Sequence, residues 1–201
     1  MTTVISETTV EDAAMMWLEE LGYEAAFGPD ISPGGAHPER DSFSDVVLPG
    51  RLRSALFRIN PHLPKDAVEE TITKVLHLDA VGLAENNRKF HRMLRDGVPV
   101  EVVDEKGQRR GDIAWLFDFN EVNNNDWLAV RQFTVAIGEY NRRPDIVIFV
   151  NGLPLAVMEL KNPTDEQATV EHAYQQLQTY KREIPELFHY CLLYTSPSPR
   201  D

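Results

Sequence analysis

The sequence predicts a mixed α+β domain in which helices flank one central sheet. Three observations support this class. Apolar residues recur at helical spacing in the first half of the chain, short β-branched runs follow, and a helical pattern returns near the end. Helices and strands segregated along a chain in this way are typical of α+β domains.

Helices dominate the first part of the chain, residues 8–95. The first helix is expected to begin near Thr9 and to end at Gly22, because acidic residues favour a helix start and glycine favours a helix end. A loop rich in proline, glycine and aspartate is predicted over 28–45. Three further helices are expected at about 52–59, 65–76 and 83–95.

Strands dominate the second part of the chain, residues 98–193. They are predicted at 98–103, 112–117, 127–135, 146–150, 155–160 and 188–193, with a turn at 105–107. Asn151-Gly152 is the strongest short hairpin signal, because both residues tolerate the positive φ of a tight turn. A helix is expected from about Thr164 to Glu183, where Pro185 closes it.

The composition excludes several classes of protein. The apolar runs, such as Ile146–Val150, are far too short to cross a bilayer, so no membrane partner is expected. The single cysteine, Cys191, excludes an internal disulfide framework and fits a cytoplasmic location. A net charge of −12 argues against a free-standing nucleic-acid binder, because phosphate contacts need Lys and Arg. It does not exclude a catalytic domain that other parts of a complex deliver to DNA.

The end of the chain changes character abruptly after an apolar segment at 190–193. Residues 194–201 are polar and proline-rich, and we expect them to be a non-native read-through sequence or a disordered tail. The predicted domain therefore covers residues 1–193, as the N-terminal part of a longer protein.

Three ionisable residues, Asp145, Glu159 and Lys161, interrupt the apolar hairpin. Buried charges are costly unless they are paired or bind a metal. With a strict two-residue turn and no irregularity, Asp145 and Glu159 would lie on opposite faces. One extra residue, in the loop or in a β-bulge, places them opposite each other on one face, and a shared site requires this arrangement. An ion-pair network without catalysis remains an alternative.

Such a cluster suits phosphodiester chemistry. Two carboxylates can hold a hard divalent cation, and a lysine beside them can stabilise developing negative charge. Gln176 and Tyr180 are spaced i and i+4 on the following helix, so they share one face. Arg142 and Arg143 precede the site and are candidate DNA contacts, although an ion pair with one of the many acidic residues is equally consistent.

The motifs resemble the PD-(D/E)xK nucleases and, more specifically, the N-terminal nuclease domain of the R subunit of type I restriction enzymes. The segments that carry the resemblance are Arg142-Arg-Pro-Asp145, Asn151-Gly-Leu-Pro154, Glu159-Leu-Lys-Asn162 and Gln176-Leu-Gln-Thr-Tyr180. Similar short segments lie at 11, 21–23, 28–30, 40–42, 60–64, 90–94 and 132–134, so the resemblance runs from about Thr8 to Leu192.

The resemblance implies a restriction-endonuclease-like core with a mixed central sheet. Asp145 and Glu159 would bind Mg²⁺, and Lys161 would serve the attacking water. Gln176 and Tyr180 match an element that supports nuclease activity. Glu11 matches an acidic residue of the first helix near the site, although a favourable charge at a helix N-terminus also explains it.

The same resemblance implies double-stranded DNA as substrate, with methylation and specificity subunits as partners and ATP-driven translocation by later domains. No Gly-x-x-x-x-Gly-Lys-Ser/Thr pattern occurs in the chain, so ATP is expected to bind only to the full-length subunit. Two other hypotheses remain. One is a non-catalytic docking domain with the nuclease fold, and the other is a stand-alone nuclease that acts on a different nucleic acid.

Overall fold

A computed structural model describes residues 7–103, 107–161 and 170–192 and has the predicted mixed α+β architecture. The helices are α1 (Glu7–Glu20), α2 (Gly28–Ile31), α3 (Pro49–Ile59), α4 (Lys65–Leu76), α5 (Leu83–Asp96), α6 (Val170–Glu183) and α7 (Pro185–Phe188). The strands are β1 (Glu24–Phe27), β2 (Val98–Val103), β3 (Arg109–Ala114), β4 (Trp127–Arg131), β5 (Val135–Ile137), β6 (Tyr140–Arg142), β7 (Ile146–Val150) and β8 (Leu153–Met158). No described helix is long and apolar enough to cross a membrane.

The central sheet is mixed and has the strand order β1-β4-β7-β8. β1 runs parallel to β4, whereas β4, β7 and β8 are successively antiparallel. All five residues of β7 are buried, as expected for a strand that is covered on both faces.

Helices cover both faces of this sheet. On one face, α1 contributes Ala14 and Met15 to a small core with Ala129, Ile146 and Ile148. Alternate residues of β4 and β7 point the other way, into a larger core with α3, α4 and α5, because successive side chains of a strand point to opposite faces. The sheet residues of this larger core include Leu128, Val130, Val147 and Phe149.

The hairpin between β7 and β8 combines a two-residue turn with a β-bulge. Asn151 and Gly152 have φ of 53° and 75°, which suits the tight turn that joins Val150 to its partner Leu153. Phe149 pairs with Pro154, whereas Ile148 pairs with Ala156, so Leu155 is an extra residue of β8. The structure therefore confirms that this hairpin contains one additional residue, and it places that residue in a bulge and not in the loop.

Several boundaries predicted from the sequence are wrong. β4 ends at Arg131 and not at 135, because Gln132 adopts a positive φ of 56° that a strand cannot continue. β1 and the short α2 were not predicted, and α2 lies within the expected 28–45 loop. β3 and β8 begin three and two residues earlier than expected, at Arg109 and Leu153.

The expectation of a single sheet is also wrong. β2 and β3 form a separate two-stranded sheet, and β5 and β6 form another. Residues 105 and 106 of the expected 105–107 turn, and residues 164–169 of the predicted last helix, lie outside the described residues.

The strand expected at 188–193 is not present in its described part. Pro185 instead begins a helical turn, α7, whose Leu187 and Phe188 are buried in the larger core. Proline fits a first helical position because its missing N–H has no partner there. The predicted tail at 194–201 and Leu193 lie outside the described residues.

Candidate active site

The β7–β8 hairpin brings Asp145 and Glu159 to the same side of the sheet. Asp145 directly precedes β7 and Glu159 directly follows β8, one position beyond the pair Ile146–Met158. Val157 packs against the larger core, whereas Met158 packs against the smaller one. By alternation, Glu159 lies on the larger-core side, which the α6 residue Tyr180 also faces.

A hydrogen bond from side chain to backbone fixes the two ends of the hairpin together. The backbone N–H of Leu160 donates to Oδ2 of Asp145 at 2.7 Å. Asp145 is half-buried, so this charge-assisted bond is partly shielded from water. The carboxylate of Asp145 is therefore held at the point where Glu159 and Lys161 leave β8.

Glu159 carries a buried carboxylate without a hydrogen-bond partner. Its side chain is only 1% exposed, and neither of its oxygens accepts a hydrogen bond within the described part of the chain. Burial first, and the negative charge of Asp145 second, raise the pKa of Glu159 to about 7, against smaller lowering effects from the nearby Tyr180 hydroxyl and Lys161 ammonium. A carboxyl group in this state is poised to be protonated or to bind a cation.

Lys161 lies beside this carboxylate but is held by another residue. Its Nζ is 3.9 Å from Oε2 of Glu159 and donates a hydrogen bond to Oε1 of Gln176 at 2.8 Å. Nε2 of Gln176 in turn donates to the Tyr180 hydroxyl at 2.8 Å. Burial raises the pKa of Tyr180 to about 12, so the hydroxyl keeps its proton. The predicted shared face of Gln176 and Tyr180 is confirmed, and it orients the lysine.

Glu11 is connected to the hairpin by Gln132, a residue that the sequence analysis did not single out. Oε2 of Glu11 accepts a hydrogen bond from Nε2 of Gln132 at 3.2 Å, and the backbone N–H of Gln132 donates to the carbonyl of Asp145 at 2.7 Å. The segment 132–134 was noted only as part of the family resemblance. A glutamine gives no sequence signal for its positive φ, since Gly, Asn and Asp are the usual residues there.

Arg142 and Arg143 occupy different environments. Nε of Arg142 donates to Oε2 of Glu183 on α6 at 2.5 Å, and Glu183 also pairs with Arg182 at 3.2 Å. The structure therefore gives Arg142 the ion pair that the sequence left as an alternative to a DNA contact. Arg143 is exposed and has no hydrogen bond or ion pair among residues 7–103, 107–161 and 170–192.

The donor set fits a hard divalent cation. Glu159 presents two buried carboxylate oxygens that accept no hydrogen bond from any described residue, and Asp145 supplies a second carboxylate on the same side of the sheet. Mg²⁺ binds through one or two carboxylates and keeps several waters, so it does not need a complete cage of protein ligands. No group of three or more His, Cys, Asp or Glu residues that could hold a metal occurs among the described residues. A cation here would therefore rest on the carboxylate pair.

A mixed sheet with two carboxylates and a lysine at the end of a hairpin is compatible with an enzyme of the nuclease class. The sequence comparison supports a nuclease role in general and identifies the family. The family model described as "Type I restriction enzyme R protein N terminus" matches residues 4–196. The chain belongs to this family.

Curated relatives support the assignment. The chain is 38% identical over 188 residues to the type I restriction enzyme HindI endonuclease subunit of Haemophilus influenzae, covering 93% of this chain and 18% of that protein. It is 34% identical over 185 residues to a Methanocaldococcus jannaschii protein that carries the provisional name type I restriction enzyme MjaIXP endonuclease subunit, covering 90% and 17%. The chain thus spans less than a fifth of the length of these relatives.

Proposed function

We propose that this chain is the Mg²⁺-dependent endonuclease domain of a type I restriction enzyme R subunit, and that it hydrolyses phosphodiester bonds of double-stranded DNA. One observation carries the proposal: the buried Glu159 carboxylate has no hydrogen-bond partner among the residues that the structure describes, and it lies on the same side of the sheet as Asp145. Left ionised without a hydrogen bond, such a group would destabilise the fold, whereas a divalent cation would offset its charge.

In this proposal Asp145 and Glu159 would hold the cation, and Lys161 would orient the water that attacks phosphorus. A bound Mg²⁺ lowers the pKa of a coordinated water and offsets charge on the phosphate. The Lys161 ammonium, 22% exposed in its side chain, can reach solvent and substrate while Gln176 keeps it oriented. Its charge would stabilise the negative charge that develops in the transition state.

The larger assembly is proposed from the relatives. Since the two curated relatives are named endonuclease subunits and are more than five times longer than their matched part, we infer a role within a larger restriction enzyme. In that setting the methylation and specificity subunits would recognise DNA, and ATP would bind to later domains of the full-length R subunit that move the DNA. The net charge of −12 fits a domain that does not hold DNA by itself.

Single substitutions in the full-length R subunit, assembled with its partner subunits, test the proposal. Lys161→Ala should abolish Mg²⁺-dependent cleavage of plasmid DNA and leave ATP hydrolysis unchanged. Lys65→Ala, on an exposed position of α4, is the matched control and should cut like the wild type. Cleavage by the Lys161→Ala enzyme at the wild-type rate would refute the proposal and favour a non-catalytic docking domain.

A direct binding measurement complements the cleavage assay. Isothermal titration of the 201-residue chain with Mg²⁺ should detect binding that Asp145→Asn removes. Binding that persists unchanged in Asp145→Asn would place the cation elsewhere.

A further inference from the structure

Gln132 adopts a backbone conformation that is unfavourable for its residue type. Its φ is 56°, and among the described non-glycine residues only Asn151, at the hairpin turn, shares a positive φ. Strain of this kind persists only where the surrounding structure imposes it, and it is concentrated at functional sites. Gln132 lies directly after β4, at the end of the sheet where Asp145 enters β7.

Contacts to Gln132 and to the two residues after it hold the bend in place. Its N–H donates to the carbonyl of Asp145 at 2.7 Å. Gly28 packs so closely that a Cβ there would lie 2.2 Å from the carbonyl oxygen of Gln132. The buried Arg40 guanidinium stacks 3.8 Å from the centre of the Phe133 ring and donates to the carbonyl of Thr134 at 2.5 Å. The bend is therefore built into the fold from both sides.

The bend directs the Gln132 side chain to α1. Its Nε2 donates to Oε2 of Glu11 at 3.2 Å, and Glu11 is only 9% exposed although it carries a carboxylate. One residue thus links two acidic groups, Glu11 through its side chain and Asp145 through its backbone. The link joins a helix on one face of the sheet to the candidate metal ligand Asp145, which directly precedes β7.

We propose that Gln132 is a positioning residue of the nuclease site: its amide, anchored on Glu11, holds the backbone to which Asp145 is bonded and so keeps the Asp145 carboxylate in place for the cation. This inference rests on the proposed function, because it concerns the cation held by Asp145 and Glu159. Gln132 itself does not touch the cation. Outer groups that orient metal ligands typically change metal affinity by 10- to 100-fold when they are removed.

Binding of Mn²⁺ to the 201-residue chain, followed by the electron paramagnetic resonance signal of free Mn²⁺, tests the inference. Mn²⁺ takes the same oxygen ligands as Mg²⁺ and reports binding without any cleavage assay. Gln132→Ala removes the amide and keeps the backbone strain. Gln132→Gly removes the amide and relieves the strain, so it should fold even if the alanine variant does not.

The expected result is a loss of Mn²⁺ affinity of about 10-fold in both variants, with the thermal unfolding midpoint of Gln132→Gly at or above that of the wild type. In a Glu11→Gln background, Gln132→Gly should have no further effect, because the amide acts through Glu11. Gln175→Ala is the matched control, since Gln175 also donates to a glutamate, Glu171 at 3.0 Å, but on the exposed side of α6.

Three outcomes would overturn the inference while the proposed function stands. The Gln132→Gly variant could bind Mn²⁺ within twofold of the wild-type affinity, or it could bind Mn²⁺ more tightly than the Gln132→Ala variant. Gln132→Gly could also reduce Mn²⁺ affinity as strongly in the Glu11→Gln background as in the wild type. A wild-type chain that binds no Mn²⁺, or binding that Asp145→Asn leaves unchanged, would instead overturn the proposed function and with it the inference.

Discussion

The carbonyl of Leu155, the residue by which β8 exceeds β7, accepts a hydrogen bond from the backbone N–H of Leu192 at 2.7 Å. A bulge leaves one residue without a partner in the strand ladder, and a buried backbone group without a partner is costly. The segment after α7 therefore supports the bulge. Because the bulge shifts the register by one residue, it also turns Glu159 to the side of Asp145.

The turn of this hairpin should tolerate no side chain at Gly152. A Cβ there would lie 2.5 Å from the carbonyl oxygen of Leu48 and 2.7 Å from the amide nitrogen of Leu52, both backbone atoms, and φ is 75°. We expect Gly152→Ala to lower the free energy of unfolding by about 2–4 kcal/mol, from steric clash plus backbone strain. Urea denaturation followed by circular dichroism measures it.

Gly138→Ala is the control for the backbone part of this cost. Gly138 also has a positive φ, 59°, but a Cβ there would meet no atom within 4 Å. We expect Gly138→Ala to lower the free energy of unfolding by only about 1 kcal/mol. Equal losses at the two positions would show that the contact with α3 contributes nothing.

Glu159 should make the fold less stable as the pH rises. Its pKa is raised to about 7 in the folded chain from an ordinary value of 4.5, so between these values unfolding releases a proton. The loss of folding free energy caused by ionised Glu159 is absent below pH 4.5 and complete above pH 7. Glu159→Gln should therefore stabilise the metal-free chain by about 1–2 kcal/mol at pH 8, allowing for partial solvent screening, and by nothing near pH 4.

Urea denaturation in a metal chelator at the two pH values measures this difference. Glu20→Gln, on an exposed position of α1, should show the same change in stability at both pH values. A Glu159→Gln variant that is destabilised at pH 8 would mean that the carboxylate has a stabilising partner.

Asp145 should contribute directly to the raised pKa of Glu159. Burial is the larger cause and the negative charge of Asp145 is the next. Asp145→Asn removes that charge and leaves the burial, so the pKa of Glu159 should fall from about 7 but stay above 4.5. Titration of the Glu159 side-chain carboxyl by carbon NMR follows it. Asp66→Asn, exposed on α4, is the control, and an unchanged pKa in Asp145→Asn would show that the two carboxylates do not interact.

Substitution of Arg142 should lower the thermal stability of the fold, whereas substitution of Arg143 should not. Arg142 pairs with Glu183, whose side chain is 9% exposed, so Arg142→Ala leaves a nearly buried carboxylate whose remaining partner among the described residues is the exposed Arg182. We expect Arg142→Ala to lower Tm by about 2–4 °C. Arg143→Ala should leave Tm unchanged, because Arg143 is exposed. Calorimetry compares them, and an equal Tm in both variants would contradict a structural role for the Arg142–Glu183 pair.

The sequence alone predicts most of the local elements and the residues of the candidate site. The helical periodicity of 65–76 and 83–95, the Asn151-Gly152 turn and the three charges within an apolar hairpin are local patterns, and they need only neighbouring residues to be read. The requirement for one extra residue in the hairpin also followed from counting, because a strand has a period of two. Whether that residue lay in the loop or in a bulge did not follow.

Tertiary contacts decided the rest. The bulge at Leu155 is supported by Leu192, β4 stops because Gly28 and Asp145 hold Gln132 in its bend, and β1 becomes a strand by pairing with β4 more than 100 positions later. Each of these depends on residues distant in the sequence, whose free-energy contributions outweigh local backbone preference and leave no local pattern. The residues of the candidate site could therefore be predicted from the sequence. Their convergence on one side of the sheet was set by the packing around them.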